Sequence, residues 1–171
     1  MTDYYRIPVH GLSPRVVNAV VEIPKDTNAK YEYDNELHVF RLDRCLLSAM
    51  RYPGNYGFIP NTLAGDGDAL DMIIHNTTPL CRGTLVECKV LGCLDMDDAG
   101  EKDYKVVAVP LSTRQQYTEL TDIDPNWLLV AENFFSHYKD LDNKHVDING
   151  WLTREQTYKI INDSRISTDS A

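Results

Sequence analysis

The chain contains no apolar run near the ~18 residues that a membrane-spanning helix requires. Its opening residues, Met1-Thr2-Asp3-Tyr4-Tyr5-Arg6, lack the basic-then-apolar order of a secretory signal. Cysteine is sparse, with 4 in 171 residues, and no Cys-x-x-Cys pair occurs. His10, His38, His75, His137 and His145 show no zinc-ligand spacing. A disulfide framework and a structural zinc are therefore not expected; reduced, mostly buried thiols in a cytoplasmic protein are. Positive charge is also short, 17 Lys+Arg against 26 Asp+Glu, for a net charge of −9. Nucleic-acid binding needs the opposite, a basic face that releases phosphate counterions. There is no P-loop, glycine-rich dinucleotide turn, His-Glu-x-x-His or Gly-x-Ser-x-Gly, so NTPases, dehydrogenases, zinc proteases and α/β-hydrolases lose support. Without repeats, low-complexity tracts or linkers, residues 1–171 read as one domain with neither a membrane nor a nucleic acid as partner.

Hydrophobic residues make up 43% of the chain, enough for a substantial core at this length. The first two thirds read as strands: Val16 to Ile23, Glu36 to Leu42, Leu85 to Leu94 and Tyr104 to Leu111, with shorter ones at Met72 to His75 and Val146 to Ile148. Around residue 31, Tyr31 and Tyr33 alternate with Lys30 and Glu32, as period-2 geometry requires. The Pro/Gly/Asn-rich segments Tyr52–Gly57 and Ala64–Asp68 read as turns. Two helices come late. Asp124-Pro125 supplies an N-cap and a first-turn proline, followed by Trp127, Val130, Ala131, Phe134 and Tyr138 on one face. Thr153 and Gln156 form a capping box before a helix through about Ile161. The expected fold is mainly β with two principal helices (α+β): a small closed or partly open barrel with the helices packed outside.

Negative charge is concentrated in residues 58–104, where Asp66, Asp68, Asp71, Glu87, Asp95, Asp97, Asp98, Glu101 and Asp103 face only Arg82, Lys89 and Lys102. Within Asp66-Gly67-Asp68-Ala69-Leu70-Asp71, three carboxylates crowd a glycine-kinked loop, an arrangement that hard, oxygen-seeking cations would neutralise. The EF-hand pattern fails here, because Leu70 and Asp71 stand at its fifth and glycine positions and Thr77 replaces its terminal glutamate. Asp103 and Lys105 share a strand face with opposite charges, as do Lys30 and Glu32. Ordinary surface salt bridges would explain either pair alone. Together with the acidic loop they point to one cavity lined by carboxylates and cations, a setting suited to magnesium and phosphate.

The ordered blocks Val21-Glu22-Ile23-Pro24, Lys30-Tyr31-Glu32, Asp43-Arg44, Tyr52-Pro53-Gly54-Asn55-Tyr56-Gly57, Asp66-Gly67-Asp68-x-x-Asp71, Asp98-x-x-x-x-Asp103-x-Lys105 and His137-Tyr138-Lys139-Asp140 resemble soluble family I inorganic pyrophosphatases over about residues 16–150. The resemblance implies an OB-like five-stranded barrel and hydrolysis of inorganic diphosphate to two orthophosphates with several Mg²⁺ ions. It implies Asp66, Asp71, Asp98 and Asp103 as metal ligands and Asp68 as the general base toward the attacking water. It implies Lys30, Arg44, Tyr56, Lys105, Tyr138 and Lys139 as phosphate-holding groups. Glu22 and Glu32 would support these or bind an additional metal, with Tyr52 as a supporting hydrogen bonder. Tyr31 and Tyr52 equally suit a core, and Tyr138 lies on the apolar face of its helix. Bacterial members of the family suggest a homo-oligomer, a hexamer.

The chain departs from the family pattern at three places. Ala69 replaces the usual proline, Ala99 stands where glutamate is frequent, and Asn133 occupies a position where bacterial members carry an interface histidine. Asp97 competes with Asp98 as ligand, and the five-residue spacing to Asp103 favours Asp98. Two other readings are an OB-fold nucleic-acid binder, which the acidic balance disfavours, and a catalytically silent cation-binding relative.

Overall fold

The computed structural model describes residues 2–166. Among these residues nine strands and two α-helices follow in chain order: β1 (Val16–Ile23), β2 (Ala29–Asp34), β3 (Val39–Cys45), β4 (Asn55–Phe58), β5 (Asp71–Ile74), β6 (Leu85–Asp98), β7 (Glu101–Lys102), β8 (Lys105–Pro110), α1 (Pro125–His137), β9 (Val146–Thr153) and α2 (Arg154–Ser164). Five strands close on themselves in the order β1-β4-β5-β8-β6, with β6 returning to pair β1. All pairings in the ring are antiparallel except β5 with β8. The mainly β ring with helices outside it is the architecture expected. β2 and β3 form a separate hairpin.

β1 is buried along almost its whole length, which its Val/Ile-rich run supports on both faces. β6 is long enough to take two partners along one edge: its first half pairs β1 and its second half pairs β9, with irregular register at Val90/Gly92 and Asp95/Met96. Such bulges bend a strand and let it leave the ring.

Several boundaries differ from the sequence reading. The segment Tyr52–Gly57, expected as a turn, contains β4. Its glycine explains why: a Cβ on Gly57 would lie 1.8 Å from the Val20 carbonyl oxygen, so only glycine allows this backbone to close against β1. The strand expected at Glu36 begins at Val39, because Asp34 accepts from the Glu36 and Leu37 N–H groups and turns the hairpin there. β9 continues to Thr153 rather than Ile148, and α2 runs to Ser164. On α1, Ala131, Phe134, Phe135 and Tyr138 are buried, whereas Val130 is 56% exposed. The inward arc is centred nearer Phe135 than the predicted face, leaving Val130 just outside it. Both predicted caps form: Asp124 accepts from Asn126 N–H at 2.9 Å, and Thr153 and Gln156 cap each other reciprocally. All four cysteines are free, but only Cys88 and Cys93 are buried; Cys45 ends an edge strand and Cys81 lies in a loop.

Among the described residues no helix is long and apolar enough to cross a membrane. The hairpin is docked by aromatic packing: Tyr33 meets Tyr4, Tyr5 and Phe58, and Phe40 meets Tyr4, with ring centroids 5.1–6.2 Å apart. This places β2 and β3 over one end of the strand ring, where the acidic loop also lies.

Candidate active site

At that end is a cavity of about 200 Å³, lined by Glu22, Lys30, Tyr31, Glu32, Tyr56, Asp66, Asp68, Asp71, Asp98, Asp103, Lys105, Tyr138 and Lys139. It is smaller than the ~300–1,000 Å³ typical of organic-ligand pockets. Parallel pairing sets Asp71 on β5 beside Lys105 on β8. The Lys105 ammonium donates to Asp71 at 2.6 Å and to Asp103 at 2.5 Å, with its side chain only 3% exposed. Burial would depress its pKa, but the two carboxylates outweigh burial and hold the ammonium above its usual range. Lys139, just beyond α1, binds Asp98 at the end of β6, and Lys30 binds Glu32 and lies 3.3 Å from Asp43.

The glycine-kinked loop presents its acids separately. Gly67 has φ +92°, and the Asp68 N–H donates to Asp66 Oδ1 at 3.0 Å, so the turn folds back on its first carboxylate. Asp68 stays exposed, and its pKa is raised by burial of its carboxylate and by Asp66 and Asp71 nearby, with Lys30 opposing. Glu22 is deeper. Burial pushes it up to about 8, Asp71 and Glu32 add to the rise, and the 2.7 Å bond from Tyr33 N–H opposes it. In the metal-free protein the folded state thus holds a proton that the unfolded state releases. Stability contributed at low pH is lost as pH rises from about 4.5 to about 8. Glu22→Gln should accordingly raise the melting temperature in EDTA at pH 9 by several degrees and change it little at pH 4; an equal shift at both pH values would mean that Glu22 ionisation is not the cause.

Asp98 faces the cavity, whereas Asp97 is held outside it by Lys102 at 3.1 Å and Asn149 at 2.9 Å. Two predicted residues are not on the lining. Tyr52, 2% exposed, is core: it packs on Tyr56 and Phe134 at centroid distances of 5.5 and 4.7 Å. Arg44 sits opposite Lys30 on the hairpin but is drawn to the rim by Asp43 at 3.3 Å and Asp142 at 3.7 Å. Its Nε and Nη2 are buried without a hydrogen-bond partner among the described residues, an unmet donor pair suited to an anion. Tyr31, left open as a core aromatic, lines the cavity, and Asp142 was not expected at the site at all. Nothing local to Asp142 signals it; only the fold brings its turn to β3.

The inorganic pyrophosphatase family profile matches residues 19–168. The chain is 41% identical over 155 residues to an inorganic pyrophosphatase of Halalkalibacterium halodurans, covering 90% of this chain and 95% of that one. The chain belongs to the inorganic pyrophosphatase family. Its members are enzymes that hydrolyse diphosphate. The fold agrees: the inorganic pyrophosphatase of Thermus thermophilus superposes with a TM-score of 0.92 at 36% identity, over 95% of this chain and 97% of that one. The Neisseria gonorrhoeae pyrophosphatase gives a TM-score of 0.90 at 36% identity, over 95% and 96%.

A metal fits the donors of this pyrophosphatase cavity. Its acidic wall offers only oxygen ligands, which suit Mg²⁺ better than zinc. Among the described residues no three of these side chains are gathered into a ready cage. The carboxylates rest on Lys105 and Lys139 instead, as like charges do when ammonium groups are the available counter-ions.

Proposed function

We propose that this chain hydrolyses inorganic diphosphate to two orthophosphates in a Mg²⁺-dependent site with Asp68 as the general base. The observation that carries this reading is a small cavity in which carboxylates and ammonium groups are interleaved rather than segregated. Asp66, Asp71, Asp98 and Asp103 would hold Mg²⁺. Bound there, Mg²⁺ neutralises phosphate charge and acidifies water. Lys30, Lys105 and Lys139 orient the phosphate oxygens, Arg44 presents its unmet donors from the rim, and Tyr56 and Tyr138 donate from their hydroxyls. Asp68 takes the proton of a water whose oxygen bonds to one phosphorus as the P–O–P bridge breaks; the other phosphate leaves with the bridging oxygen and its electron pair. Glu22 and Glu32 support the cation-binding wall, and Tyr52 acts only by backing Tyr56. With Ala69 the loop keeps all three acids, and the alanine is buried beside Val20, Tyr33 and Phe58.

We further propose a homo-oligomer as the working form. Leu129 (63% exposed) and Val130 (56%) present an apolar stripe on the outer face of α1, next to the exposed Asn133.

The test is orthophosphate release from diphosphate with Mg²⁺, with EDTA, and with Ca²⁺ substituted. Activity should need Mg²⁺, vanish in EDTA and be inhibited by Ca²⁺, whose looser, larger coordination misaligns the reactants. ATP with Mg²⁺ should be hydrolysed negligibly, because the cavity of about 200 Å³ is lined mainly by carboxylates and ammonium groups that suit two phosphates and offers no evident pocket for a nucleoside. Undiminished turnover in EDTA, or comparable kcat/KM for ATP and diphosphate, would reject the assignment.

A further inference from the structure

Arg82 lies outside every motif that marks the site, in the loop joining β5 to β6. That loop is tied to β1 by two backbone bonds, Gly83 N–H to the Val21 carbonyl at 2.8 Å and Val21 N–H to the Thr84 carbonyl at 3.0 Å. From this fixed base the Arg82 guanidinium makes two contacts. Its Nε donates to the backbone carbonyl of Glu22 at 3.2 Å, and its Cζ sits 3.3 Å from the centroid of the Tyr31 ring. At that distance the cation lies directly against the π face. Glu22 and Tyr31 both line the cavity, but they belong to different sheets: Glu22 to the strand ring, Tyr31 to the hairpin. Arg82 therefore bridges the two bodies that build the site.

The bridge matters because of what the hairpin carries. Lys30 and Arg44 are paired across it, and its register is irregular between Lys30 and Tyr31. The hairpin makes no ladder to the ring. On the far side of Tyr31 from Lys30 it is held by the Tyr33 N–H bond to Glu22 and the aromatic cluster around Tyr33 and Phe40; on the near side Arg44 reaches Asp142 at 3.7 Å, and the Thr27 carbonyl just before β2 accepts from the Tyr52 N–H at 3.0 Å. Beyond those, the Tyr31 ring under Arg82 is a restraint immediately next to Lys30. We propose that Arg82 is a positioning residue for substrate binding: stacked on Tyr31 and bonded to Glu22, it holds the hairpin so that Lys30 and Arg44 meet the phosphates. A guanidinium suits this task, since its plane covers a ring while its Nε–H points sideways to a carbonyl; lysine offers no such fork.

This inference rests on the diphosphatase reading, and its test keeps the two apart. Diphosphate turnover by the wild-type enzyme with Mg²⁺ checks that reading. The inference is checked by a double-mutant cycle of Arg82→Gln and Tyr31→Leu, with Arg82→Lys and Tyr31→Phe as companions. Arg82→Gln and Tyr31→Leu should each raise KM for diphosphate roughly 3- to 20-fold with kcat within about twofold, as loss of one cation–π contact would. The double variant should be no worse than the weaker single. Tyr31→Phe keeps the ring face and should behave as wild type, while Arg82→Lys should resemble Arg82→Gln. Hydrogen exchange of amides 29–45 should speed up in both disrupting variants, a readout that needs no turnover and no substrate. Additive KM effects in the cycle would mean that Arg82 acts on the substrate without Tyr31 and would overturn the proposal. So would unchanged KM in either single variant, or hairpin exchange at the wild-type rate. Variants with lowered melting temperature are read from the exchange of the hairpin relative to β1, which distinguishes local release from general loosening.

Discussion

Asp68→Asn should lower kcat by a factor of roughly 10²–10⁴, and excess Mg²⁺ should not restore it. The argument starts from the loop Asp66-Gly67-Asp68-Ala69-Leu70-Asp71, whose three carboxylates the structure places differently. Asp71 is already paired at 2.6 Å with the buried Lys105, and Asp66 accepts the Asp68 N–H, so both are anchored by neighbouring groups. Asp68 lines the same cavity but stands exposed, and among the described residues no side chain donates to it. Burial and the nearby Asp66 and Asp71 raise its pKa, which makes it a stronger base than an ordinary aspartate. Asparagine is nearly isosteric, so fold and Mg²⁺ affinity should survive. Asp71→Asn is the contrast: it should weaken Mg²⁺ binding and recover in part at high Mg²⁺. Titrations of activity and of binding on both variants decide the matter. If Asp68→Asn recovers with Mg²⁺ as readily as Asp71→Asn, then Asp68 is a ligand and the base lies elsewhere.

What could be read in advance was whatever depends on local geometry. Asp103 and Lys105, two residues apart, do meet at 2.5 Å, although β8 begins only at Lys105 and Asp103 stands just before it. The five-residue step from Asp98 to Asp103, which belongs to the family pattern and not to local geometry, picks the carboxylate that faces the cavity, leaving Asp97 to Lys102 and Asn149. The caps of α1 and α2 are set by residues two to three apart and form as expected. Features that depend on distant partners were not legible. Arg44 is drawn to the rim by Asp142, nearly a hundred residues on, and no local pattern near either residue shows it. Arg82 meets Tyr31 from a loop on another element. β4 was hidden for a different reason: of the glycines that read as turn residues, Gly57 is required by the close approach of β1 and Gly54 by that of β5, a tertiary demand that overrides strand propensity. Val130 fell outside the buried arc of α1 because the strand ring, not the helix, sets which arc is buried.

Lys105→Met should separate the structural from the chemical work of the cavity. In the metal-free protein this ammonium, almost without access to water, is the counter-ion of both Asp71, beside it on β5, and Asp103, two residues before it. Methionine fills similar space but leaves two carboxylates facing each other without a cation. Breaking a buried pair in this way costs about 3–5 kcal/mol, or a fall of about 10 °C in melting temperature for a chain of this size. Mg²⁺ then becomes the only positive partner for the two acids, so adding it should return most of the lost stability. It should not return activity, because an ammonium that holds a phosphate oxygen is still missing; a deficit of roughly 10²-fold or more in kcat is expected. Melting curves of wild type and variant in EDTA and in excess Mg²⁺, beside kcat under the same Mg²⁺, give both readings. A melting deficit that is the same with and without Mg²⁺ would show that Asp71 and Asp103 do not take the cation together. Activity that returns with stability would remove Lys105 from the phosphate-holding groups and leave it a purely structural cation.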